Sequence, residues 1–94
     1  MLVPTIHLNG SSGERLLEQY AAAADAVRKA IDMLCDVDFN ARDYYVQGSE
    51  VPQAAQREHL ARIASLKQVR EDLFKIVEGI QNQLDLRDAA RKPR

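Results

Sequence analysis

Residues 17 to 34, LEQYAAAADAVRKAIDML, decide the fold of this chain. Their apolar side chains recur in alternating steps of three and four residues, at Leu17, Tyr20, Ala24, Val27, Ile31 and Leu34. This spacing lines them up on one side of a helix and is typical of a helix that packs against another helix. We expect a first helix over residues 12 to 37.

The start of this helix has two candidate caps. Ser11 followed three residues later by Glu14 fits a capping box, and Ser12 is an equally good N-cap. Either cap leaves Asn9 and Gly10 just outside the helix.

A second helical pattern begins at Ser49-Glu50-Val51-Pro52, where a polar cap candidate precedes a proline. Its apolar side chains are Ile63, Leu66, Leu73, Ile76, Ile80 and Leu84. We expect a helix over residues 52 to 85 and a flexible polar tail over residues 87 to 94. Gly79 lies inside the helix and indicates either close packing or early fraying.

The sequence predicts an all-α fold: a two-helix antiparallel hairpin with an extended N-terminal segment. Residues 1 to 86 form the single domain, in which residues 1 to 11 are an extended segment and loop that lies along the helices. Residues 38 to 51 form the loop between the helices.

The composition predicts an oligomer. A chain of 94 residues in two helices buries little apolar surface, and self-association into a homo-oligomeric helical bundle, a dimer or tetramer, would supply more. The net charge of −1 argues against a general DNA or RNA binder. The single cysteine, Cys35, excludes a disulfide framework. The N-terminus has no signal-peptide or membrane-span pattern. We therefore expect a cytoplasmic protein with no membrane partner.

The first candidate ligand site is the polar loop before the first helix, with His7, Asn9, Gly10, Ser11 and Ser12. Backbone N–H groups at a helix N-terminus have no partner within the helix and favour anions, phosphates above all. The alternative is an ordinary turn and cap, with His7 bonded to a backbone carbonyl.

The second candidate site is the loop between the helices, with Arg42, Asp43, Tyr44, Tyr45 and Gln47. Arg42 could hold a phosphate, a tyrosine could stack on a base, and Asp43 and Gln47 could bond to its edge. The alternative is a loop whose tyrosines cover the open end of the helix pair.

The two candidate sites lie at opposite ends of a hairpin whose first helix is roughly 35 to 40 Å long. Two hairpins packed antiparallel would bring the N-terminal loop of one beside the tyrosine loop of the other. Ligand binding at both loops therefore requires an oligomer.

No catalytic or metal-binding constellation is evident. Ser11 and Ser12 have no base at a recognisable spacing, and His59 has no third metal ligand. Glu71-Asp72 lies among lysines and arginines and is typical of a solvated helix face. We expect no enzyme, no metal and no cofactor.

Two stretches together, residues 6 to 12 (IHLNGSS) and residues 42 to 45 (RDYY), resemble a family of short helical bacteriophage proteins, over residues 5 to 84. The family motif has Thr at the position of Ser11, which keeps the hydroxyl. The resemblance extends to anti-CBASS-type sponge proteins, which sequester the nucleotide signals of bacterial immunity. It implies a non-enzymatic oligomer that binds a cyclic-dinucleotide-like ligand.

Two functions are therefore expected from different classes. The first is a phage-encoded sponge that sequesters a cyclic nucleotide signal in the host bacterial cytoplasm and so inhibits anti-phage defence. The second is a structural or adaptor protein that pairs with itself or another protein through the face of Leu66, Leu73 and Ile80.

Overall fold

The computed structural model describes residues 1–91 and is all-helical, with no strand in that range. The first long helix, α1, spans Gly13–Cys35 and the second, α2, spans Val51–Arg91. Two short 3-10 turns, Ala41–Asp43 and Tyr45–Gln47, lie in the loop between them. The helices form an antiparallel hairpin, in which Gly13 at the start of α1 contacts Leu84 near the end of α2. The predicted all-α hairpin is confirmed.

Both predicted lines of apolar side chains face the interior of the hairpin. Ala24 and Ile31 of α1 are buried, as are Ile63, Ile80 and Leu84 of α2. The other predicted side chains are half-buried: Leu17, Tyr20, Val27, Leu34, Leu66, Leu73 and Ile76. The spacing therefore identified the face through which the two helices pack.

The helix boundaries differ from the predicted ones, most of all at the C-terminal end. Helix α1 ends at Cys35 rather than at residue 37, and α2 begins at Val51. Helix α2 continues to Arg91, so the prediction of a helix end at residue 85 and a tail from residue 87 is wrong for residues 87–91. The spacing of four and three continues from Ile80 through Leu84 to Arg87, and the next proline is Pro93. Residues 92–94 of the predicted tail lie outside the described residues.

The N-terminal segment lies along α2, as predicted, and Gln83 fixes its position. The backbone N–H of Ile6 donates to Gln83 Oε1 at 2.8 Å, and Gln83 Nε2 donates to the carbonyl of Pro4 at 2.8 Å. Val3 lies over Gly79, where an added Cβ would stand 2.7 Å from Val3 Cγ1. Gly79 therefore marks close packing, since the helix continues without fraying beyond it.

The hairpin is long and thin. Its radius of gyration is 20.3 Å and its extents are 71 × 22 × 22 Å. A compact domain of this length would have a radius of gyration of about 12 Å. The accessible surface is 7372 Å², whereas a compact monomer of 10.6 kDa exposes about 5,500 Å². One hairpin therefore leaves uncovered a large area that a compact fold would bury.

Candidate functional site

The loop before α1 is a tight turn closed by its own backbone. The N–H of Gly10 donates to the carbonyl of His7 at 3.1 Å. The His7 imidazole lies against Gly10, where an added Cβ would stand 2.9 Å from His7 Nε2. A glycine at position 10 thus allows the ring to approach the backbone closely. Asn9 and Ser11 are exposed.

Helix α1 is capped by Ser12. Its Oγ accepts a hydrogen bond from the N–H of Arg15 at 3.3 Å, and its carbonyl accepts from the N–H of Leu16 at 3.0 Å. The Ser12 hydroxyl donates to Glu14 Oε2 at 3.2 Å. Of the two predicted caps the structure has Ser12, and the alternative box of Ser11 with Glu14 is not formed.

Gly13 joins this loop to the helix pair. It is buried, and an added Cβ would stand 2.7 Å from Leu84 Cδ2 and 3.2 Å from Ile6 Cγ2. The first turn of α1 therefore rests directly on α2 and on the N-terminal segment. This contact fixes the direction in which the helix N-terminus points.

A cavity of about 510 Å³ opens at this end of the hairpin. Its lining residues come from the N-terminal segment, the first turn of α1 and the end of α2: Ile6, His7, Leu8, Gly10, Ser11, Ser12, Gly13, Glu14, Arg87 and Arg91. A second cavity of about 350 Å³ shares Ser11 and Ser12 and is also lined by Arg15. Four of the five residues predicted for the first site line the larger cavity, and Asn9 does not.

The charges around the larger cavity are partly paired. Arg87 Nη2 donates to Glu14 Oε1 and forms a salt bridge with it. This hydrogen bond lowers the pKa of the Glu14 carboxyl and raises the pKa of Arg87, so both groups stay ionised near neutral pH. The Nε atom of Arg87 is buried and has no hydrogen-bond acceptor among residues 1–91. With Arg91 added, the acidic and basic side chains of the lining, Glu14, Arg87 and Arg91, sum to one net positive charge.

The loop between the helices is organised by aromatic stacking. The ring centroids of Phe39 and Tyr44 are 5.3 Å apart, and those of Phe39 and His59 are 5.6 Å apart. Tyr44 is half-buried in this stack, whereas Tyr45 is 61% exposed. The alternative interpretation, tyrosines that cover the end of the helix pair, fits Tyr44 and not Tyr45.

The second set of predicted residues is clustered but encloses no described cavity. Arg42, Asp43, Tyr45 and Gln47 are exposed on the two 3-10 turns. Neither they nor Tyr44 line any of the three cavities described for residues 1–91. The 23 residues of α1 separate the two candidate sites by about 35 Å, so the prediction that they lie at opposite ends is confirmed.

Two cationic residues of the larger cavity were not predicted from the sequence as site residues. Arg87 and Arg91 fell within the segment predicted as a tail, yet they are four residues apart on α2 and share one helix side. The continued spacing after Leu84, together with the absence of glycine and proline until Pro93, is the signal that could have found them.

Other kinds of site find no support within residues 1–91. No group of three or more potential metal ligands occurs there. No helix in this range is long and apolar enough to cross a bilayer. Comparison with protein-family models, with curated proteins and with solved structures finds no match for the chain.

Proposed function

We propose that this chain is a phage-encoded sponge, related to the anti-CBASS type, that binds a cyclic nucleotide signal and holds it uncleaved in the host bacterial cytoplasm. The observation that carries the proposal is the cavity of about 510 Å³ at the start of α1. Its volume falls within the range of small-molecule sites, roughly 300 to 1,000 Å³. The resemblance of IHLNGSS and RDYY to the phage family supports the same ligand class.

A phosphate group fits the polar side of this cavity. The helix N-terminus contributes a partial positive charge there, and the Ser11 hydroxyl lies beside it. Arg87 is held in place by Glu14, while Arg91 adds the net positive charge. His7 supplies a further donor at the cavity wall.

The cavity is lined by no Phe, Tyr or Trp, so a large aromatic surface for the base of the nucleotide has to come from elsewhere. In our proposal Tyr45 in the loop of a second copy supplies this aromatic surface. Arg42 of that loop contacts a phosphate, and Asp43 and Gln47 bond to the edge of the base. Tyr45 is preferred to Tyr44 because Tyr44 already stacks on Phe39. A composite site of this kind would occur in symmetric copies.

Thermal melting against a panel of cyclic and ADP-ribose-type nucleotides tests the proposal. A ligand at a hundred times its Kd stabilises the folded protein by about 2.7 kcal/mol. Recovery of the intact nucleotide after denaturation would support a sponge, whereas recovery of a changed nucleotide would indicate an enzyme. A panel without any shift contradicts nucleotide binding.

Matched variants test the assignment of residues. We expect Arg91→Gln to weaken binding at least tenfold, because it removes the cation that Glu14 does not neutralise, while Lys75→Gln in the middle of α2 leaves the affinity unchanged. At the other end, Tyr45→Ala should weaken binding and Val46→Ala should not. Both Tyr45 and Val46 are exposed, so neither change disturbs the core.

The second candidate function is an adaptor that binds another protein. The face named from sequence cannot serve, because Ile80 is fully buried and Leu66 and Leu73 are half-buried within the hairpin. A different surface of α2 favours this function. Phe74 is 49% exposed under the guanidinium of Arg70, beside a cavity of about 420 Å³. In this case Phe74→Ala would abolish partner binding, and nucleotides would leave the melting temperature unchanged.

A further inference from the structure

Helix α1 carries a second line of uncharged side chains beside the one that packs on α2. Its members again follow alternating steps of three and four residues: Leu16, Gln19, Ala23, Ala26, Ala30 and Met33. Leu16 and Ala30 are half-buried and the other four are exposed, with Met33 at 73%. We call these six residues the outer seam. Such spacing places them on one helix side, as in a helix that contacts two neighbours.

Most charged side chains of α1 lie away from the outer seam, and Arg15 flanks it beside Leu16 and Gln19. Arg28 bonds to Asp25 at 3.0 Å and to Asp32 at 3.2 Å, and Lys29 lies 3.2 Å from Asp25. These charged groups pair with one another along the helix, so covering the outer seam would separate none of these ion pairs.

The uncovered area of the hairpin is large enough for a stable dimer. The accessible surface of 7372 Å² exceeds that of a compact monomer by about 1,900 Å². Each partner of a standard interface buries only about 800 Å². The surplus therefore exceeds what one partner of a standard interface buries, which leaves enough surface for a second copy of the hairpin.

We propose that the outer seam packs against the outer seam of a second copy, antiparallel, around a two-fold axis near Ala26. Gln19 of each copy then meets Met33 of the other near the two ends of the outer seam. Ala23, Ala26 and Ala30 meet in the middle, where small side chains let two helices approach closely. Antiparallel helices also align their dipoles favourably. The product is a four-helix bundle with the two α1 helices at its centre.

This dimer deepens the proposed function but does not rest on ligand binding. It would place the N-terminal end of one hairpin near the loop end of the other, as a composite site requires. The dimer is expected in the absence of any nucleotide, so its failure and the failure of nucleotide binding are separate results.

The solution mass of the full chain tests the dimer directly. We expect sedimentation equilibrium at micromolar concentrations to give twice 10.6 kDa for the wild type. Ala26→Lys should shift the mass to that of a monomer, because it places two ammonium groups against each other at the axis. Ala21→Lys adds the same side chain to an exposed position outside the outer seam and should remain dimeric. A monomeric wild type, a dimeric Ala26→Lys variant or a monomeric Ala21→Lys variant would each overturn the proposal.

Cysteine cross-linking decides the case in which Ala26→Lys fails to fold. In a Cys35→Ser background, Ala26→Cys should form an intermolecular disulfide on mild oxidation, since residues at a two-fold axis face their own copies. Ala21→Cys is the matched control and should stay monomeric on a non-reducing gel. Equal cross-linking of the two variants, or none in either, would contradict the proposed interface.

Discussion

The two ends of the hairpin are built by different physical means. At the start of α1, the loop rests on α2 through Gly13 and Leu84, and Gln83 holds the N-terminal segment with two hydrogen bonds. At the other end, the loop rests on α2 through the stacked rings of Phe39, Tyr44 and His59, and no residue from 36 to 50 is buried. Polar side chains alone predicted a ligand site equally well at each end. Within residues 1–91, the N-terminal end combines a packed backbone with a cavity and so has the shape of a preformed site, whereas the residues of the loop end line none of the described cavities.

The largest expected effect lies under the N-terminal end. Leu84→Ala should lower the free energy of unfolding by about 2 to 5 kcal/mol, because Leu84 is 5% exposed and its removal leaves a cavity beneath Gly13. Urea unfolding followed by circular dichroism measures the change. Leu86→Ala, at an exposed position two residues away, is the control and should cost far less. Equal losses would show that this end is not packed as described.

A smaller loss is expected at the loop end. Phe39→Leu keeps an apolar side chain but loses two aromatic contacts, each worth about 0.5 to 1.5 kcal/mol. Because Phe39 is only half-buried, we expect a total loss of about 1 to 1.5 kcal/mol. The same urea titration applies, with exposed Val46→Ala as the control. A loss as large as that of Leu84→Ala would remove the difference between the two ends.

The cap of α1 distinguishes the two serines of the first loop. Ser12→Ala should destabilise the protein by about 0.5 to 1 kcal/mol, since it removes the acceptor for the N–H of Arg15. Ser11→Ala should have no measurable effect on the melting temperature, because Ser11 is exposed and makes no cap. Thermal melting of the two variants side by side gives the comparison. The reverse order of effects would mean that the helix starts one residue earlier.

The smallest expected effect is a loss of stability of the folded protein at low pH. Arg87 lowers the pKa of Glu14 in the folded protein, so the stability that this pair contributes is present above the unfolded pKa of about 4.3 and is lost as pH falls through the lower folded pKa. We expect a slight fall in melting temperature between pH 5 and pH 3, of about one or two degrees for an exposed pair. Glu14→Gln should reduce this fall, and Glu18→Gln on the same helix should not. An unchanged fall in Glu14→Gln would assign it to other carboxylates, such as Asp25.

The fold was predictable from sequence because it depends on spacing. Leu17, Tyr20, Ala24 and their partners on α2 repeat every three and four residues, and this repeat places these side chains on one face of each helix. The predicted end of α2 is wrong because polar composition does not by itself cause fraying, and Arg87 and Arg91 continue the helix. The cavity depends on contacts between residues far apart in the chain, such as Glu14 with Arg87, which are 73 positions apart, and no local pattern reports such contacts.

The hydrogen bonds of Gln83 carry a consequence for the order of folding. Ile6 and Gln83 are 77 positions apart in the chain, whereas Phe39 and His59 are separated by only about a quarter of that distance. Closing a long loop costs more chain entropy than closing a short one. We therefore expect the two helices to pair first at the loop end and the N-terminal segment to dock last. During synthesis the N-terminal segment has no hydrogen-bond partner on α2 until Gln83 has been added to the chain. Pulse-labelling hydrogen exchange would then find the Ile6 amide among the last to gain protection.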